Sequence, residues 1–245
     1  MKKFLTFAIA SLFLFQSCVE KQTTLMCYNV RCCNIYDGSG IDYDKFAEII
    51  REHNVDFVSL QELDSVTMRS AKTSTGDELA SRLGMEFTFA SAIDFDGGKY
   101  GIGLLSRDKP ISTSKIYLPS HSERRALLIA EFQDIYIGVT HLPLTEQERI
   151  EAVKLIKAQV KGLDDKPLVL SGDFNAEPTS EPVKQMLEDF TLLSSDKEFT
   201  FSSTEPSVTI DYIFGYNNGH KFDVKSCEVL QEKGVSDHLP ILIRF

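Results

Sequence analysis

From Thr24 onward, short apolar runs alternate with stretches whose apolar residues recur at helical spacing. Leu25 to Arg31 reads as a strand. Tyr43 to Glu52 sets Phe46, Ile49 and Ile50 along one helical face, and Val55 to Leu60 resumes as a buried strand. Thr75-Gly76-Asp77-Glu78 has the form of a capping box opening a short helix through Leu79 and Leu83, which Gly84 would stop. Five strand-like runs follow at Glu86 to Ala90, Tyr100 to Ser106, Lys115 to Leu118, Ala126 to Phe132 and Ile135 to Thr140, separated by turns short enough for antiparallel hairpins. A second capping box, Thr145-Glu146-Gln147-Glu148, precedes a helix with Ile150, Val153, Leu155, Ile156 and Val160 on its apolar side. Strand Leu168 to Leu170, a helix from Pro178 to Phe190, and strand candidates at Phe199 to Ser202, Val208 to Phe214, Phe222 to Leu230 and Leu239 to Phe245 complete the pattern. Two β-rich halves, each with helices, imply two packed sheets covered outside by helices.

No Pro/Gly/Ser-rich linker interrupts this text, so residues 25–245 are expected to form a single domain. Residues 1–17 are different. Lys2 and Lys3 precede an apolar run from Phe4 to Phe15 that is short for a bilayer span and suited to a signal peptide. The run ends Gln16-Ser17-Cys18, which resembles a bacterial lipobox. Cys18 is therefore the expected lipidation site, residues 18–24 a short tether, and the product an exported, membrane-anchored lipoprotein facing periplasm or cell surface, with simple secretion as the alternative.

A composition of 42% hydrophobic and 25% charged residues excludes wholesale disorder. Twenty-six Lys and Arg against thirty-six Asp and Glu give a net charge of -10, which repels a bare phosphate backbone. A nucleic-acid role would have to rest on a local site. Setting Cys18 aside leaves Cys27, Cys32, Cys33 and Cys227, compatible with three pairings in an oxidising compartment or with buried thiols; Cys27, alternating with Tyr28 in a strand, reads at least as well as a packed thiol.

Polar clusters fall at or just after the ends of the strand-like runs, where loops converge over a rigid scaffold. They are Asn29 in Tyr28-Asn29-Val30-Arg31, Glu62 in Gln61-Glu62-Leu63-Asp64, His141 in Thr140-His141-Leu142-Pro143, Asp173 and Asn175 in Gly172-Asp173-Phe174-Asn175, and Asp237 and His238 in Ser236-Asp237-His238. Asp211 interrupts the apolar run Ile210 to Ile213. Singly, each could be a turn former or helix cap. In this order they resemble the endonuclease/exonuclease/phosphatase superfamily, which includes deoxyribonuclease-like metal-dependent phosphoesterases. The resemblance spans about Leu25 to Phe245.

The resemblance implies an α/β fold, a four-layer α/β/β/α sandwich of two packed mixed β-sheets flanked by helices. It implies a metal-dependent phosphoric ester hydrolase using Mg2+, with Mn2+ as a substitute, in a monomer. Glu62 is the implied principal metal ligand, assisted by Asn29 and Asp237; a hard divalent ion favours few carboxylates and completes its shell with water and phosphate oxygens. His238 would pair with Asp211, Asp173 and His238 would jointly orient or deprotonate the attacking water, and Asn175 would donate to a phosphate oxygen. His141 would protonate or hydrogen-bond the leaving oxygen, and Arg125 would brace phosphate through paired donors.

Two departures bear on substrate. Ile102 stands where relatives often carry Asn, removing a phosphate or sugar contact, and Arg31 stands where some apurinic enzymes have an acidic residue. Asp94 to Gly98 reads as a mobile loop that shapes substrate access or simply turns the chain. The favoured function is hydrolysis of a small or lipid-linked phosphoester; an extracellular nuclease and a non-catalytic binding lipoprotein are the alternatives.

Overall fold

Each of two sheets is organised around a parallel strand pair joined by a helix. The computed structural model describes residues 22–121 and 123–245. The expected signal peptide, most of the tether and the lipidation site at Cys18 lie outside the described residues. In chain order the first half comprises β1 (Thr24–Asn29), β2 (Asn34–Ile35), β3 (Gly40–Ile41), α1 (Tyr43–Glu52), β4 (Phe57–Ser65), α2 (Thr75–Leu83), β5 (Glu86–Phe95) and β6 (Gly98–Ser106). The second comprises β7 (Ser112–Leu118), β8 (Arg125–Glu131), β9 (Tyr136–His141), α3 (Glu146–Val160), β10 (Leu168–Asp173), α4 (Glu181–Leu187), β11 (Phe190–Leu192), β12 (Asp211–Tyr216), β13 (Ser226–Val229) and β14 (Ile241–Arg244).

One six-stranded sheet runs β13-β14-β1-β4-β6-β5 and the other β11-β12-β10-β9-β8-β7. In the first, β1 pairs parallel with β4 across α1; in the second, β9 pairs parallel with β10 across α3, and the remaining pairings in both are antiparallel. Leu25, Cys27, Leu104, Leu128, Val139, Val169, Ile213 and Ile241 meet between the sheets. Phe46, Ile49 and Ile50 of α1 pack with Met26, Val58 and Leu60 on the outer face of the first sheet, and Val153 and Ile156 of α3 with Leu170 and Phe214 on that of the second. The result is the four-layer α/β/β/α sandwich, because a strand buried on both faces needs a helix outside and a second sheet inside.

Local chemistry sets the boundaries. Asp42 caps α1 by accepting from Lys45 N at 2.9 Å, and Thr145 caps α3 while donating to Glu148 Oε2 at 2.7 Å. The second helix is capped one residue earlier than its sequence suggests: Ser74 accepts from Asp77 N, and Gly84 ends the helix in the left-handed region at φ 65°. The expected helix through Phe190 stops at Leu187, since Phe190 is recruited by Tyr216 as the first residue of β11. Phe199 to Ser202 yields only isolated bridges, from Phe201 to Val208 and His238, and the Phe222 to Leu230 run contracts to β13. The segment from Asp94 to Gly98 is the tip of the β5–β6 hairpin rather than an irregular loop. Asp96 at φ 47° and Gly97 at φ 73° form its two-residue turn, the positive dihedrals matching strand twist. All four described cysteines are free thiols.

Candidate active site

The parallel pairs β1–β4 and β9–β10 end at the same edge of the sandwich, which places Asn29, Glu62, His141 and Asp173 together. Register does the rest within the second sheet: Asp173 lies opposite both His141 on β9 and Asp211 on β12. Gly172 permits this close approach, since a Cβ there would fall 2.0 Å from the carbonyl oxygen of Thr140. His238 arrives from the segment before β14. Ser236 Oγ donates to the carbonyl of Asn29 at 2.7 Å and fixes the Ser236-Asp237-His238 turn to the end of β1.

The hydrogen bonds form one network. His238 Nδ1 lies 2.9 Å from Asp211 Oδ2, and its Nε2 faces Asp173 Oδ2 at 3.6 Å. Asp173 Oδ1 accepts from Asn175 N at 2.8 Å, and Oδ2 accepts from Asn29 Nδ2 at 3.1 Å. Asn29 Nδ2 also lies 3.1 Å from Glu62 Oε1, so this amide links carboxylates from the two sheets. His141 completes the group, with Nε2 3.1 Å from Asn175 Nδ2 and 3.4 Å from Asp173 Oδ2.

Burial makes the electrostatics strong. Asn29, His141, Asp173, Asp211 and His238 are all buried. Burial, reinforced by the charge of Asp211, pushes the Asp173 carboxyl up to about 7 against the opposing pull of His238. Burial also opposes a charge on His238, but the carboxylates of Asp211 and Asp173 outweigh it and raise the imidazolium to about 10. His141 moves the other way: burial, then the positive charges of Arg125 and His238, hold it well below the usual histidine range. Arg125 Nη1 lies 3.4 Å from His141 Nδ1 and can donate there, while Nε2 carries the remaining proton 3.4 Å from Asp173 Oδ2, so the neutral imidazole fits.

Arg125 itself sits behind His141 and pairs with Glu123, while its buried Nε has no hydrogen-bond partner. Asp237 is partly exposed, accepts from Ser236 Oγ at 3.2 Å and lies 3.9 Å from Arg31 Nε. Ile102 is buried in the core between the sheets and offers the site no polar group.

Residues 26–238 match the sequence profile of the endonuclease/exonuclease/phosphatase family. The chain belongs to this family. Solved structures agree in fold. A family protein from Bacteroides thetaiotaomicron superposes with a TM-score of 0.77 at 18% identity, covering 91% of this chain and 97% of that one. A mannosyl-6-phosphatase from the same organism gives 0.75 at 19% identity over 90% and 98%. The human Nocturnin catalytic domain gives 0.67 at 22% identity over 91% and 92%. Members of the family are phosphoesterases, and the family is metal-dependent.

The donor set suits such an ion. Glu62 lies on a bulge of β4 with φ 58°, a backbone strained for glutamate, which turns its carboxylate off the strand ladder. Among the described residues only its Oε1 is engaged; Asn29 Oδ1 supplies a further oxygen, and the Asp237 carboxylate is tied to the end of β1 through Ser236 Oγ. An all-oxygen set of this kind fits a hard divalent cation. A second cluster, Asp173, Asp211 and His238, also brings potential ligand atoms within 4.8 Å of one another. There, however, the His238–Asp211 pair already satisfies one carboxylate oxygen and one ring nitrogen.

Beside Glu62 opens a cleft of about 560 Å³ whose walls include Arg31, Asn34, Arg69, Phe95 and Tyr100. Asn34, Arg69 and Tyr100 carry no signal in the sequence, because they lie outside the strand-end clusters and only the fold brings them to this wall. Phe95 belongs to the hairpin tip singled out from the sequence.

Proposed function

We propose that the protein is a Mg2+-dependent hydrolase of phosphoesters, acting on a small or lipid-linked phosphate. The observation that carries this reading is the bridge made by Asn29 between Glu62 on one sheet and Asp173 on the other. It sets a metal-type carboxylate beside a proton-transfer group whose partners are already in place.

Glu62, Asn29 and Asp237 would hold the ion, which when bound supplies positive charge to the phosphate oxygens and lowers the barrier to attack. Asp173 takes the proton of the attacking water; its raised affinity for protons and its fixed position, held from Asn175 N and Asn29 Nδ2, suit a base working near neutrality. The carboxylates of Asp211 and Asp173 favour the protonated form of His238. Held by Asp211, its Nε2–H, which faces Asp173 Oδ2 at 3.6 Å, is placed to stabilise charge developing on the phosphoryl oxygens. His141 serves as a neutral hydrogen-bonding group toward the leaving oxygen, with Asn175 beside it. In-line displacement of this kind depends on positioning more than on covalent catalysis.

The net charge of -10 counts against a polynucleotide as the preferred substrate. Purified protein with Mg2+ is expected to hydrolyse at least one of bis(p-nitrophenyl) phosphate, p-nitrophenyl phosphate, inositol phosphates and sphingomyelin, and to stop when EDTA is added. If all four stay intact, the proposal fails.

A further inference from the structure

The cleft beside Glu62 contains polar groups that the hydrolytic machinery leaves unused, and their chemistry narrows the substrate. Its formal charges are matched in pairs. Arg69 forms a forked ion pair with Asp64, with Nε to Oδ2 at 2.6 Å and Nη2 to Oδ1 at 2.8 Å. Glu123 pairs with Arg125, and Arg31 donates Nη1 to the carbonyl of Asn34 at 3.0 Å while its Nε faces Asp237 at 3.9 Å. When the ion engages Glu62 and Asp237, Arg31 is, among the described residues of these walls, the one cation left to a substrate, and the reacting phosphate would claim it. A second phosphate on the substrate would meet no surplus cation.

Two neutral groups on the same walls remain without protein partners among the described residues: the hydroxyl of Tyr100 and the side-chain amide of Asn34. Between them they offer both donors and acceptors. The apolar part of the wall is built by Ile93 and Phe95. The Phe95 ring is fixed from one side by the Arg69 guanidinium 4.5 Å from its centroid and remains 38% exposed. Flat apolar surface next to neutral hydrogen-bonding groups suits a ring whose faces are C–H and whose rim is hydroxyl.

We propose that this cleft takes the alcohol part of the substrate, and that this alcohol is a neutral polyhydroxylated ring carrying a single phosphate, a hexose or cyclitol monophosphate, with Tyr100 and Asn34 reading its hydroxyls. The inference rests on the hydrolytic reading above and adds the substrate class. The cleft volume of about 560 Å³ lies within the range of small-molecule sites. A site that hydrogen-bonds hydroxyls discriminates against an alcohol lacking them, because its own polar groups are then left unpaired when the ligand excludes water.

The test compares kcat/KM, with Mg2+, for glucose 6-phosphate, myo-inositol 1-phosphate, glucose 1,6-bisphosphate and p-nitrophenyl phosphate, in the wild type, Tyr100→Phe and Asn34→Ala. The expected result is that one of the ring monophosphates exceeds both p-nitrophenyl phosphate and the bisphosphate. Each variant should lower the ratio of ring monophosphate to p-nitrophenyl phosphate by roughly 3- to 10-fold, mainly through KM, as loss of a neutral hydrogen bond predicts. Asn34→Ala lies outside the sandwich core and keeps the test available if Tyr100→Phe folds poorly. Hydrolysis of p-nitrophenyl phosphate with ring monophosphates turned over no faster, or with ratios unmoved in a folded variant, overturns the inference and leaves the hydrolytic reading standing. No turnover of any substrate, together with intact diesters and sphingomyelin, defeats the hydrolytic reading itself.

Discussion

The two sheets contribute to the site in opposite ways. His141, Asp173 and Asp211 come from the second sheet, are no more than 3% exposed, and are joined to one another or to His238 by short contacts. Glu62 comes from the first sheet, stands on a bulge with a strained backbone, is only partly buried, and keeps one carboxylate oxygen without a partner among the described residues. Groups that move protons are thus fixed in a dry, rigid setting, where electrostatic effects are large and little reorganises during reaction. The group offered to an exchangeable ion is left open at the mouth of a cleft, where entering ligands complete its coordination.

The sharpest way to separate the two roles is to break each and read different quantities. Asp173→Asn should lower kcat by about 10² to 10⁴, the usual contribution of a general base, while leaving the Mg2+ concentration for half-maximal residual activity near the wild-type value. Glu62→Gln should instead shift that concentration upward, by roughly 10- to 100-fold as seen when a metal site loses one of its supporting groups, with partial recovery of rate at high Mg2+. If both variants fail alike at every Mg2+ concentration, the division between the sheets is wrong.

Much of this arrangement is legible in the sequence, and the limits have physical causes. The helix from Tyr43 to Glu52 agrees with its apolar spacing residue for residue, and β10 follows its apolar run and extends it to Asp173, because burial on both faces leaves period and composition unambiguous. Short edge strands are less readable: β11 exists through pairing with β12, so Phe190 looks helical until its partner is known. The polar side chains of the site share the strand-end position, which is visible as a repeated pattern. The protonation states are not, since the neutral character of His141 depends on its burial, on Arg125 sixteen residues away in the chain, and on His238 from the far end of the domain. Nor are the walls of the cleft, where Asn34 and Tyr100 come from segments with no shared motif.

The pH dependence of stability probes the buried proton-transfer groups, in metal-free protein. His238 binds its proton more tightly folded, at about 10, than at its ordinary value of 6.5. Its contribution to stability is therefore complete below pH 6.5 and is lost as the pH rises toward 10. Asp173, raised to about 7 from 3.8, acts with the same sign at lower pH, whereas the depressed His141 contributes above pH 6.5 and loses that contribution below it. Between pH 7 and 9, then, above the Asp173 range and below that in which the buried thiols of Cys27, Cys32 and Cys33 begin to act with the same sign, the decline belongs mainly to His238. Thermal unfolding in EDTA across this window should show the wild type losing stability with rising pH and Asp211→Asn following a flatter curve; parallel curves would deny the ion pair its role.

The smallest effect concerns the strain on the first sheet. A glutamate at φ 58° occupies the left-handed region, which costs an L-residue roughly 1 to 2 kcal/mol relative to glycine. Glycine returns part of that as greater freedom of the unfolded chain, about 0.4 to 1 kcal/mol, so relief of the strain leaves a net gain of up to roughly 1.5 kcal/mol. Both Glu62→Gly and Glu62→Ala lose the bond from Asn29 Nδ2, worth about 1 kcal/mol; Glu62→Ala, which also keeps the strained dihedral, should be less stable than the wild type by about that much in chemical denaturation, and Glu62→Gly should fall closer to the wild type. Both should lose the response to Mg2+. A protein less destabilised by glycine than by alanine would mean that the backbone at this bulge is held in an unfavourable shape for the sake of the carboxylate it presents, whereas equal destabilisation by glycine and alanine would make the bulge a packing feature and leave the comparison between the sheets without its first term.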